Sequence, residues 1–107
     1  MTGAGDADPG VIDNAAQSRY ELHVGDDVAI ADYRKRGGVM ILPHTLVPEQ
    51  LRTRGLASRL AKRAFDDARA QRLRVVPRCP FMSAYVKKHP EYLDLVWTPP
   101  DTDARAS

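Results

Sequence analysis

The order of apolar and polar positions changes character once along the chain. Between Arg19 and Val24, Tyr20, Leu22 and Val24 alternate with Glu21 and His23, a period of two that predicts a strand with one buried face. A Gly25–Asp26–Asp27 turn follows, and residues 28–33 repeat the alternation. Arg34–Lys35–Arg36–Gly37–Gly38 reads as the next turn. Val39, Met40, Ile41 and Leu42 are continuously apolar, the pattern of a central strand covered on both faces. Short loops between these three runs predict an antiparallel meander.

Beyond residue 50 the period becomes helical. Leu56, Leu60, Ala64 and Ala68 recur at helical spacing with Ala57, Ala61 and Phe65 beside them, while Arg59, Lys62, Arg63, Asp66, Asp67 and Arg69 lie mostly off that stripe. The predicted helix ends near Gln71. Residues 73–76 predict a short strand beyond it, so strand, helix and strand form a crossover and a parallel pair. A shorter helix from about Phe81 to Lys88 stops at His89–Pro90, and residues 92–97 read as a last short strand or a packed tail. The expected fold class is therefore α/β (α+β): a mixed sheet with an N-terminal antiparallel three-strand meander, a crossover helix, a parallel strand and a second short helix. Residues 1–17 read as a flexible N-terminal tail, 18–98 as a single domain, and 99–107 as a flexible C-terminal tail.

Composition narrows the function classes. A chain of 107 residues with 43% hydrophobic and 28% charged positions can bury one core and is not a disordered segment. Cys79 is the only cysteine, which excludes an intrachain disulfide and a cysteine-built zinc cluster, so no metal is expected. No apolar run approaches the length of about 20 that crosses a membrane, and the acidic, Gly-rich start lacks the pattern of a leader. The expectation is a cytoplasmic protein without a membrane partner. The net charge of +2 conceals an asymmetry. Residues 1–32 carry seven acids against Arg19 alone, whereas residues 33–89 carry fourteen Lys and Arg against Glu49, Asp66 and Asp67. An anionic partner for the middle of the chain and an ordinary solvated face both fit that bias.

Spacing favours the anionic partner at one place. Arg52–Thr53–Arg54–Gly55–Leu56–Ala57 leaves a strand and opens the long helix. The first N–H groups of a helix have no internal partner and carry the positive end of its dipole, so they receive phosphate well. Gly55, Ala57 and Ser58 are small enough to let a phosphate approach, and Arg52 and Arg54 supply charge.

Arg52-x-x-Gly55-x-Ala57 in this setting resembles the (Gln/Arg)-x-x-Gly-x-(Gly/Ala) signature of the GCN5-related N-acetyltransferases. Pro43–His44–Thr45–Leu46–Val47–Pro48 before it, Val76–Pro77–Arg78–Cys79–Pro80–Phe81 after it, then Tyr85 and His89–Pro90–Glu91–Tyr92, resemble a small subfamily of minimal acetyltransferase-like proteins. The resemblance spans about residues 20–96. It implies a compact minimal acetyltransferase fold that uses acetyl-CoA as co-substrate and an amine acceptor. It implies further that the backbone at Thr45, Leu46 and Val47 bonds the pantetheine arm, and that Arg52, Arg54, Gly55, Leu56, Ala57 and Ser58 hold the pyrophosphate. Pro48 would help splay the neighbouring strands around the thioester.

Transfer to an amine needs a neutral nitrogen, a polarised carbonyl and a proton for the departing thiolate. His44 can accept a proton, or can merely order the strand end. Tyr85 stands where related enzymes place the tyrosine that protonates the thiolate, and it also fits as a packing aromatic. Cys79, at a strand-to-helix junction beside Arg78, has the setting of a lowered thiol pKa and of an acetyl-cysteine intermediate; lining or structural roles compete with that reading. His23 and His89 read as a polar-face residue and a helix end. The short Gly25–Asp26–Asp27 turn stands where typical relatives insert two helices, and the chain ends soon after the second helix, so the acceptor site is expected to be shallow or open. A non-catalytic acyl-CoA-binding or sensing module is the alternative. A nucleic-acid-binding domain lacks the interleaved aromatic and basic residues that stack bases, so no nucleic-acid partner is expected.

Overall fold

The computed structural model describes residues 10–97; of the expected tails, 1–17 and 99–107, residues 1–9 and 99–107 lie outside the described residues, as does Thr98. Five strands form one sheet in sequential order: β1 (Val11–Asn14), β2 (Arg19–Val24), β3 (Asp27–Arg36), β4 (Val39–Leu46) and β5 (Arg74–Pro77). The first four pair antiparallel and β5 runs parallel to β4, joined through α1 (Leu56–Ala70). A second helix, α2 (Pro80–Lys88), follows β5, and 3₁₀ turns cover Ala15–Gln17, Glu49–Arg54 and Pro90–Leu95. The mixed-sheet α/β architecture is as expected from the sequence.

Three details differ from the pattern reading. Residues 11–14, within the stretch expected to be tail, form β1 on the edge of β2, so the meander has four strands. A four-residue strand carries too few alternations to register as a period. The second strand runs through Arg36 instead of turning at Arg34, because Lys35 spans Tyr33 and reaches Gln71 at the end of α1. Residues 92–97 are mostly a 3₁₀ turn; only Val96 bridges Val75, and the Trp97 N–H donates to the Val75 carbonyl.

Cross-strand partners point to the same face, which sorts the sheet into two sides. Tyr20, Leu22, Ala29, Ala31, Met40, Leu42 and Val75 face the helices and are fully buried with Leu60, Ala64, Phe65 and Met82. Val39 and Ile41, between those positions on β4, are only half-buried. The expectation of a β4 covered on both faces therefore fails: the helices lie on one side, and among the described residues no element covers the other.

Polar side chains tie α1 to the sheet. The Tyr20 hydroxyl donates to Asp67 at 2.8 Å, and Arg63 bonds both Asp67 and the Val11 carbonyl. Arg69 grips Asp94 with two nitrogens and the Glu91 carbonyl with one, clamping the last 3₁₀ turn onto α1. Burial first, then Asp67, push the Tyr20 phenol far above its ordinary range, so it stays protonated as a donor.

Candidate functional site

The turn singled out in the sequence begins α1. Residues Glu49–Arg54 wind as a 3₁₀ helix, and Gly55 stops it with φ 72° and ψ 17°, a left-handed conformation that favours glycine. A Cβ built on Gly55 would meet nothing within 4 Å, so the space in front of it is open. No side chain caps α1 and no acid stands in its first turn, which leaves its leading N–H groups and its positive dipole end exposed. Arg54 and Ser58 are exposed, while Leu56 is buried and anchors the helix to the core. Arg52 turns back, its Nε donating to the Val47 carbonyl at 3.4 Å.

Next to this terminus the sheet opens. The pairing of β5 with β4 ends at Leu42↔Pro77, but β4 continues to Leu46 beside β3 alone. The edge of residues 43–46 that faces away from β3 thus borders a notch. Cys79 closes its near end: the Cys79 N–H donates to the Leu42 carbonyl at 3.0 Å, and Pro80 begins α2 immediately after.

A bulge decides which side chains look into the notch. Asp32 pairs with His44 and Arg34 with Ile41, so two residues of β4, Leu42 and Pro43, oppose Tyr33 alone. The extra residue reverses the parity of β4. Thr45 turns to the helix face beside Ala31, and the Cys79 Sγ donates to its Oγ1 at 3.5 Å. His44 turns to the other face, where its Nδ1 lies 3.9 Å from the Asp32 carboxylate.

The candidate catalytic side chains consequently occupy three environments. Burial alone would raise the Cys79 thiol, but the Thr45 hydroxyl and the backbone N–H groups of Met82 and Phe81 outweigh it and hold the thiol below its ordinary range. Tyr85, also buried, stacks on Phe65, Tyr92 and His89 in the interior between the helices. Burial, then Asp66, raise its phenol against the opposing Lys62, so it remains a proton donor. His44 is more than half exposed on the uncovered face.

A family model for the GCN5-related N-acetyltransferases matches residues 19–95. The chain belongs to that family. In this member of the family the pairing of β4 with β5 stops at Leu42 and Pro77, and a left-handed glycine opens the helix between the two strands. The side-chain contact of Thr45 with Cys79 was not anticipated, nor was a depression on the uncovered face lined by Ser18, Asp32, Arg34, Pro43 and His44. Both depend on the bulge, which leaves no local signal beyond Pro43 itself.

Proposed function

We propose that this chain binds acetyl-CoA and transfers its acetyl group to an amine. The observation that carries the reading is the uncapped start of α1 behind left-handed Gly55, directly beside the β4/β5 notch. The pyrophosphate would lie on the N–H groups of Leu56, Ala57 and Ser58, near Arg52 and Arg54. The pantetheine arm would run along the free edge of Thr45, Leu46 and Val47, its thioester near Cys79. On this reading Arg52 leaves the Val47 carbonyl when the coenzyme arrives.

In direct transfer the amine nitrogen attacks the thioester carbonyl carbon, the N–C bond forms, and the C–S pair leaves on sulfur. His44 takes the ammonium proton, and Tyr85 returns one to the thiolate. The lowered Cys79 thiol supports a second route, in which its sulfur attacks the carbonyl carbon and its proton leaves with coenzyme A as the thiol, and the amine then takes the acetyl group and releases the Cys79 sulfur.

Calorimetric titration with CoA tests the site. Binding should be lost in Gly55→Gln, whose side chain fills the open approach, with circular dichroism unchanged; equal affinity would refute the assignment. Thiol release with an amine panel tests transfer: binding without release leaves an acyl-CoA-binding module. Intact mass after incubation with acetyl-CoA separates the routes, since an added acetyl group absent from Cys79→Ser marks the covalent one.

A further inference from the structure

On the uncovered face the 3₁₀ turn Ala15–Gln17 leads into β2, and β3 continues beyond the end of that strand. A depression of about 440 Å³ lies in this corner, lined by Gln17, Ser18, Asp32, Arg34, Pro43 and His44. A second one of about 350 Å³ shares Ser18 and Arg34 and extends to Arg36. The joint groove is electrically polar: the Asp32 carboxylate beside His44 at one end, two guanidinium-bearing residues at the other. Asp32 and Arg34 are two residues apart on one strand face, about 7 Å along it. Among the described residues, neither Arg34 nor Arg36 forms an ion pair. Ser18, in the wall common to both parts, ends the 3₁₀ turn in a left-handed conformation, φ 54° and ψ 54°, and is fixed there by backbone bonds to Ala15 and Tyr33.

We infer that this groove takes the acceptor, and that the acceptor is an amine whose own molecule carries an anionic group. The acceptor role rests on the acetyltransferase reading; the ligand class rests on the groove alone. Asp32 holds the ammonium, Arg34 and Arg36 hold the anion, and the bulge at Leu42–Pro43 turns His44 toward the amine. The notch borders the opposite edge of β4, about one strand width of 5 Å away. His44 removes the ammonium proton, the freed nitrogen attacks the carbonyl carbon in the notch, the N–C bond forms, and sulfur departs with the C–S pair and takes its proton from Tyr85, as in the direct transfer above. The same Asp32 carboxylate then steadies the protonated imidazole until solvent takes the proton.

The probe is 2-aminoethyl phosphate, compared with ethanolamine, which has the same amine and no anionic group. In heteronuclear NMR titrations the phosphate-bearing amine should shift the amides of Ser18, Asp32, Arg34 and His44 and bind at least about tenfold more tightly, a margin typical of one charge-assisted contact. Arg34→Gln combined with Arg36→Gln should erase that preference, and Asp32→Asn should weaken both amines. Equal affinities in the unaltered chain, or shifts confined to other residues, would overturn the inference. The titration uses no coenzyme, so a chain that binds the probe here but not CoA refutes the acetyltransferase reading and leaves the groove's ligand class standing. Release of thiol from acetyl-CoA with ethanolamine at the same efficiency as with 2-aminoethyl phosphate would refute the acceptor role by itself.

Discussion

Glu21 allows a quantitative test of the uncovered face. Its carboxylate is nearly buried on that side of β2 and is bonded by His23 at 3.0 Å, Arg19 at 2.8 Å and Asn14 at 2.8 Å. These bonds, the one with His23 foremost and then Arg19 and Asn14, hold it at about 2, against its ordinary 4.5. One unit of pKa corresponds to about 1.4 kcal/mol, so the ionised carboxylate contributes about 3 kcal/mol, and less as salt screens the partly exposed Arg19 and His23. The pKa is depressed on folding, so this stability is fully present above 4.5 and is lost as pH falls toward 2. Glu21→Gln removes the charge and keeps the shape. Urea unfolding followed by circular dichroism should show the variant less stable by about 2–3 kcal/mol at pH 7. That gap should shrink by more than half at pH 3, where the unfolded Glu21 is already protonated. A gap that stays constant from pH 7 to pH 3 would refute the reasoning, because it would owe nothing to ionisation. Arg19 pairs with Asp32 across β2 and β3, so the same substitution should also loosen the corner around Ser18.

Thr45→Val removes the hydroxyl that favours the Cys79 thiolate; alkylation by iodoacetamide at pH 7.5 should slow several-fold, and an unchanged rate would discount that contact. Tyr20→Phe deletes a buried donor while Arg63 still serves Asp67, so thermal or urea unfolding should register a loss of about 1 kcal/mol, not the larger cost of an orphaned carboxylate. Phe65→Ala empties the stack under Tyr85 and Tyr92 and should cost about 3–5 kcal/mol; a loss below 1 kcal/mol would mean the aromatic cluster collapses readily into the space.

The helix and most strand positions were legible because they depend on local periodicity. The stripe of Leu56, Leu60, Ala64 and Ala68 can be buried only as a helix, and that is how it lies. Arg52 to Ala57 likewise announces a helix start through its own chemistry. Spacing shows Gly55 only as room for a phosphate; its positive φ adds a backbone reason that spacing does not contain. The short β1 was invisible, since its four residues become a strand only by hydrogen bonding to β2.

Local pattern dictates the amphipathic elements, their order and the identity of the groups able to do chemistry. Which of those groups meet was decided by tertiary structure. His44 and Thr45 are adjacent in the chain and would face opposite ways on any strand, but which one meets Cys79 depends on the register. One extra residue at Leu42–Pro43 reverses that register, because side chains in a strand alternate with period two. Thr45 consequently bonds Cys79 inside, His44 joins Asp32 outside, and these two pairs of candidate groups lie on opposite faces of one strand.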